Sequence, residues 1–249
     1  MSTYAFLGAG EFEDWHRDID RLLLDGRNGH VLVLATAAAP EGDEVYRGWV
    51  DKGLGHYERG GIQASAPTLR TRDDAHDPAV LSALEDAAVV FFSGGNPAYL
   101  ASVLTGSPFW QRVQERVADG SLAYAGCSAG VACLSDPTFD SATDDVERVW
   151  APGLGYFPSI LFGPHWDIVD TWIPGARAFI AAATPAGGHL IAIDEETALV
   201  GDGTEWTVWG KGGIYLHHDG EWVGEYRSGQ SFTLPMALAG ATAPDPAPG

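Results

Sequence analysis

Short, nearly unbroken apolar runs alternate along the first half of the chain with longer segments of helical spacing. Tyr4 to Leu7, His30 to Ala35, Ala88 to Phe92 (AVVFF) and Leu122 to Ala125 have strand length, and Gly61 to Leu69 is a weaker run. Phe12 to Leu24, Gly42 to His56, Pro78 to Glu85 and Tyr99 to Val117 carry the spacing of helices. Strands without polar alternation are buried on both faces, so the pattern predicts an α/β fold with a mostly parallel sheet between helical layers. Several runs stop at small residues: Gly8-Ala9-Gly10, Ser93-Gly94-Gly95, and Gly126-Cys127-Ser128-Ala129-Gly130.

The last third changes character. His189 to Ile193, Ala198 to Val200, Trp206 to Trp209, Gly213 to His217 and Glu221 to Val223 are short, with turn signals such as Gly201-Asp202-Gly203 and Asp219-Gly220 between them. They predict antiparallel strands meandering onto the edge of the sheet. Trp206, Trp209 and Trp222 are expected to pack. Residues 1–236 are expected to form a single α/β domain, and 237–249, rich in Ala and Pro, a disordered tail.

Charge narrows the choice of partners. Thirty-four Asp and Glu against 14 Lys and Arg give a formal net charge of −20. A surface of that sign cannot displace phosphate counterions, which argues against nucleic acid and against an anionic membrane. No apolar stretch is long enough to span a bilayer. The start, MSTYAFLGAG, lacks a basic region followed by a long apolar one, so no signal peptide is expected and the cytoplasm is the expected location. The two cysteines, Cys127 and Cys133, flank a single turn and are expected to stay free. There is no His-Glu-x-x-His and no Cys-x-x-Cys, so neither a metal nor a cofactor is expected.

Gly126-Cys127-Ser128-Ala129-Gly130 matches Gly-x-Ser-x-Gly, a weak motif alone. Its context is what the chemistry needs: a strand before it, a helix from Val131 after it, and a serine on a tight turn where its hydroxyl is exposed. The two glycines leave room where strand and helix cross. The amides at the start of the helix suit a developing oxyanion. Serine is too weak an acid to attack unaided and needs a base. Of the eight histidines, His30 opens a buried strand, and His16, His56 and His76 fall in polar, exposed segments. His165, in LFGPHWD, sits at a strand-to-loop junction stiffened by Pro164.

FFSGGNPAYLASVL, GCSAGVAC and FGPHW, in that order, resemble the peptidase E and cyanophycinase family of serine peptidases, over roughly residues 4 to 225. The resemblance implies a flavodoxin-like three-layer α/β/α sandwich, similar to the class I glutamine amidotransferases. It implies Ser128 as nucleophile, His165 as base, and the amides of Ala129 and of Gly94 or Gly95 as oxyanion hole. Asn96 would touch substrate. The acid that holds the histidine is Glu195 in the cyanophycinase-like pattern and Asp144 or Asp145 in the peptidase E pattern; Asp167 has the amidotransferase spacing. The implied substrates are short peptides, among them Asp-x dipeptides, for which Arg177 is the candidate cation. Ser93 replaces a glycine common in peptidase E members, and the arginines that follow the histidine in cyanophycinases are reduced here to Arg177. Some members are dimers, so a homodimer is an open alternative.

Two other functions compete. One is an esterase of the α/β-hydrolase type, with His217 or His218 as base and Asp194 or Glu195 as acid. The other is a non-catalytic member that binds a ligand in the same cleft.

Overall fold

The computed structural model describes residues 3–143, 145 and 148–238. Strands Tyr4–Leu7 (β1), His30–Leu34 (β2), Ala64–Ser65 (β3), Ala87–Phe92 (β4) and Ala123–Cys127 (β5) run parallel in the order β1-β5-β4-β2-β3. They alternate with helices Arg17–Leu24 (α1), Asp43–Arg59 (α2), Pro78–Glu85 (α3), Pro97–Leu104 (α4) and Pro108–Ala118 (α5). After β5 come a four-residue helix, Ala129–Ala132 (α6), and a small hairpin of Thr138–Phe139 (β6) with Trp150–Ala151 (β7). Ile160–Gly163 (β8), Val169–Trp172 (α7) and Ala176–Ala182 (α8) follow. The chain ends in His189–Ile193 (β9), Thr197–Gly201 (β10), Glu205–Gly210 (β11), Gly213–His218 (β12), Glu221–Arg227 (β13) and Ser231–Thr233 (β14).

The pleat sorts each strand onto two cores. Tyr4 and Phe6, Leu32 and Leu34, and Val90 and Phe92 face α3, α4 and α5. Ala5 and Leu7, Val31 and Val33, and Phe91 face α1 and α2. This is the expected sheet between two layers. β10, β11 and β14 extend it antiparallel beyond β1, as the turn signals predict.

The other late strands depart from that expectation. β9, β12 and β13 leave the main sheet and join β8 in a second, four-stranded sheet. One face, with Phe162, Ile191, Ile193 and Ile214, packs into the main core; the other, with Leu161, Leu190 and Ala192, packs on Ile180 of α8. Three boundaries also differ. Gly61 to Leu69 contributes only Ala64–Ser65 to the sheet. The helix expected from Phe12 starts at Arg17, because Phe12 holds φ 64° and its N–H donates to His16 Nε2 at 2.6 Å. The helix expected over 99–117 is two helices. Pro108 forbids a helical residue before it, and Ser107 instead caps α5 by accepting from Trp110 N at 3.1 Å.

His16 and His56, expected at the surface, are buried at 1% exposure each. They stack on one another and bracket Asp20. His56 Nε2 lies 2.8 Å and His16 Nδ1 3.3 Å from Asp20 Oδ2, and the Tyr57 hydroxyl donates to Oδ1 at 3.2 Å. The amide proton on His16 Nε2 leaves the imidazole proton on Nδ1, aimed at Asp20. The network ties α1 to α2. His30, expected to be structural, bonds Ser65 Oγ across β2 and β3. Among the described residues no helix is long and apolar enough to cross a membrane.

Burial opposes ionisation of Asp20, but the hydrogen bonds and charges of His16 and His56 outweigh it and hold the carboxyl below its usual range. A carboxylate with a depressed folded pKa stabilises the fold above its unfolded pKa and loses that contribution as pH falls through the folded value. Asp20→Ala leaves one ring nitrogen of each buried imidazole and a buried phenol without their partner. It should cost about 3 kcal/mol or more by urea denaturation at pH 7, and less as pH falls through the depressed pKa of the folded carboxyl.

Candidate active site

β1, β4 and β5 are adjacent, and their carboxyl ends open on one crevice, the usual place for a site in a parallel sheet. Ser128 follows β5 directly, at φ 51° and ψ −106°, before α6. Its N–H donates to Leu7 O of β1 at 3.0 Å, which pins the turn to the sheet. The glycines on either side are required by contact. A Cβ on Gly126 would lie 2.3 Å from Gly130 O, and one on Gly130 would lie 2.2 Å from Phe92 O. Ser128 cannot cap α6 in the ordinary way, so its hydroxyl is turned outward.

His165 follows β8 and Glu195 follows β9, two parallel neighbours of the second sheet. Trp166 N donates to Ile193 O at 3.0 Å, which joins the two loops. Glu195 Oε1 lies 2.8 Å from His165 Nδ1, and Ser128 Oγ lies 2.8 Å from His165 Nε2. An ionised carboxylate only accepts, so Nδ1 carries the proton and Nε2 accepts from the serine hydroxyl. Both partners are half-buried: 22% of the His165 side chain and 34% of that of Glu195 are exposed. Ser128, His165 and Glu196 are three of the five non-glycine residues with positive φ among the described residues. Backbone strain is thus concentrated around this triad.

The other carboxylates lie elsewhere. Asp167 Oδ1 accepts from Glu195 N at 2.9 Å, so it holds the backbone of Glu195 and leaves His165 to it. Asp194 Oδ2 accepts from Gly213 N and the Tyr215 hydroxyl, on the second sheet. Asp145 is exposed and pairs with Arg148, and Asp144 lies outside the described residues. His217 bonds Thr184 Oγ1, and His218 bonds Gly188 O and stacks on His189. Ser128 is paired with His165 instead.

The two candidate oxyanion glycines are not equivalent. Gly94 N donates to Glu11 Oε1 at 2.9 Å and so is already satisfied. The N–H groups of Gly95 and Ala129 have no acceptor among the described residues, and both residues line the cavity beside Ser128. Gly95 can lie there only because it has no side chain: its φ is 136°, and a Cβ would lie 2.4 Å from the Ala37 backbone. Unpaired backbone amides beside a serine hydroxyl are the kind of donor that a developing oxyanion needs.

Glu11 follows the Gly8-Ala9-Gly10 stop and is not singled out by the sequence. It is 3% exposed, and its other oxygen accepts from Cys127 Sγ at 3.0 Å. One carboxyl group from the β1 loop therefore holds both the β4 loop and the end of β5. The free thiol of Cys127 points into the interior beside Ser128, away from the cavity. The hint in the sequence was an acidic residue immediately after an apolar strand and a Gly-x-Gly turn.

Asn96 also acts through the scaffold. Its Oδ1 accepts from Tyr99 N and caps α4, and its Nδ2 donates to Asp140 Oδ1 at 2.8 Å. Arg177 is not among the cavity-lining residues. Its guanidinium donates to Asp167 O at 2.7 Å and lies over the Trp166 ring. The cavity itself has a volume of about 590 Å³ and runs from Ser128 and His165 to walls built by the β6–β7 hairpin, α7 and α8.

A model of peptidase family S51 matches residues 1–209. The chain is 29% identical over 169 residues to a cyanophycinase of Trichormus variabilis, covering 64% of this chain and 54% of that protein. It is 25% identical over 176 residues to a cyanophycinase of Geminocystis herdmanii, covering 65% and 64%. It spans about half the length of the first of these curated relatives. A crystal structure of a peptidase from an acI-B1 Actinobacterium superposes with a TM-score of 0.82 at 28% identity, covering 93% of this chain and 96% of that one. A putative peptidase E protein from Listeria monocytogenes shares the fold, with a TM-score of 0.58 at 18% identity, covering 85% and 100%.

Burial, reinforced by Glu11, pushes the Cys127 thiol well above its usual range, and burial pushes Cys133 up to about 12. At pH 7 both are expected to be inert to iodoacetamide in the folded protein and reactive once unfolded. Glu11→Ala removes the acceptor from a buried N–H and a buried S–H. It should cost about 1–3 kcal/mol by thermal denaturation and speed alkylation of Cys127 more than that of Cys133.

Proposed function

The chain belongs to peptidase family S51, and from that premise and the geometry of the crevice we propose that it hydrolyses short peptides through an acyl-enzyme on Ser128. The observation that carries this reading is the unbroken path Ser128 Oγ, His165 Nε2, His165 Nδ1, Glu195 Oε1, with both hydrogen bonds at 2.8 Å.

Each atom has a step. His165 Nε2 takes the proton from Ser128 Oγ as the oxygen attacks the peptide carbonyl. The carbonyl oxygen becomes an oxyanion, which the N–H groups of Gly95 and Ala129 receive. Glu195 keeps His165 in the correct tautomer and stabilises the imidazolium. The imidazolium then gives its proton to the leaving amine, and the C–N bond breaks. Water repeats the sequence on the ester, releasing the acid and restoring Ser128. Asp167, through the Glu195 backbone, and Glu11, through Gly94, keep the parts in register. Preference for an N-terminal aspartate, which the family resemblance implies, would need a cation. Among the described residues no Lys or Arg lines the cavity.

Mass-spectrometric digestion of a dipeptide and tripeptide panel tests the proposal. Wild type is expected to cleave a subset. Ser128→Ala and His165→Ala should each lower kcat/KM by about 10⁴-fold or more, and Glu195→Gln, which keeps the shape but loses the charge, by about 10³- to 10⁴-fold. Equal cleavage by wild type and Ser128→Ala would reject the acyl-enzyme.

A further inference from the structure

We propose that the substrate residue seated in this cavity is bulky, apolar and N-terminal, with its free α-ammonium group paired to Asp140. The inference rests on the peptidase reading above and names the substrate class of that same site.

The first observation is where the apolar surface lies. Of the six large hydrophobic residues left exposed among the described residues, three, Trp172, Ile173 and Phe179, line this one cavity, at 57%, 50% and 39% exposure. Phe139, Val149 and Val169 continue the wall. Trp172 lies over His165, with ring centroids 5.0 Å apart. Apolar side chains gathered at the mouth of a catalytic crevice, rather than scattered, mark a surface that a ligand covers.

The second observation is charge. Among the described residues Asp140 supplies the one carboxylate of the lining, and no cation accompanies it. The two nearby arginines are turned to other partners. Arg177 bonds Asp167 O, with its Nε 3.7 Å from Asp170 Oδ2, and Arg148 pairs with Asp145. A substrate aspartate here would lose water to apolar walls and gain only a like charge.

The third observation is that Asp140 is held ready. Its Oδ1 accepts from Asn96 Nδ2 at 2.8 Å and from Ala142 N at 3.0 Å, whereas Oδ2 has no partner among the described residues. Asn96 is itself fixed as the cap of α4, so the carboxylate is preorganised with one oxygen unsatisfied. Its location decides which cation it suits. Asp140 is bonded to Asn96, the neighbour of Gly95, and Gly95 lines the cavity beside Ser128. The α-ammonium of the acyl residue is separated from the scissile carbonyl only by Cα. A Lys or Arg head group lies at the end of a long stem, several bonds further from that carbonyl. A carboxylate in the same cavity, hydrogen-bonded to the side chain that follows Gly95, therefore matches an N-terminal amine.

The test compares Phe-Ala, Asp-Ala, Lys-Ala and N-acetyl-Phe-Ala. In calorimetry with Ser128→Ala, Phe-Ala is expected to bind tighter than the other three. With wild type, kcat/KM for Phe-Ala should exceed that for Asp-Ala by about 100-fold and that for N-acetyl-Phe-Ala by about 10-fold. In Asp140→Asn the ratio of free to acetylated peptide should fall to near one. Stronger binding or faster cleavage of Asp-Ala or Lys-Ala overturns the inference, as does a free-to-acetylated ratio that survives Asp140→Asn. Failure of the peptidase reading looks different: no peptide is cleaved, and the calorimetric order alone decides what the cavity prefers.

Discussion

α6 crosses the carboxyl ends of β4 and β5 at backbone contact distance, and the rest of the site depends on that crossing. Side chains at 126 or 130 would lie inside the van der Waals radius of the carbonyls of Gly130 and Phe92. With glycine at both places, Ser128 takes a left-handed backbone conformation on a turn one residue long, hydrogen-bonded to Leu7. The same crossing puts the first amide of α6, on Ala129, beside the serine hydroxyl. The proposed nucleophile and one of the two proposed oxyanion donors are thus one local structure.

The rest of the site is assembled from distant parts of the chain. His165 and Glu195 come from neighbouring strands of the second sheet, whose inner face is packed into the main core through Phe162, Ile191 and Ile193. Burial of that sheet against the main core brings His165 within reach of Ser128. Glu11 works in the same way from the opposite side. A buried carboxyl group that binds both the β4 loop and Cys127 occupies the N–H of Gly94 and leaves that of Gly95 unpaired among the described residues. Stability and chemistry are joined in these residues. Loosening Glu11 or the β8–β9 pair would disturb catalysis without removing any group that touches substrate.

How much of this the sequence discloses depends on the range over which each feature is specified. The parallel strands and the Ser128 turn are local patterns, readable from apolar runs that end in glycine. His165 and Glu195 are each at a strand end; the family resemblance pairs His165 with Ser128 and leaves the acid open among Glu195, Asp144, Asp145 and Asp167. The second sheet was not readable, because β9, β12 and β13 carry the same short-strand pattern as β10 and β11. Only the burial of their inner face sends them to β8. The Glu11 bonds span 83 and 116 positions, and the Asp20 network joins residues 36 apart, so no periodicity reports them. His16 and His56 look like surface residues for the same reason: what buries them, the rings of Phe12 and Phe91 and the shared partner Asp20, is brought together only by the fold.

The claim at the centre is that Ser128 is a nucleophile because His165 and Glu195 make it one. Intact-mass spectrometry after exposure to a fluorophosphonate probe tests that most directly, since the reagent needs an activated serine and no knowledge of the substrate. The account predicts a single adduct, mapped to Ser128, formed by wild type and slowed by orders of magnitude in His165→Ala. An unlabelled wild type, or an adduct at Ser128 that forms equally fast without His165, would contradict it.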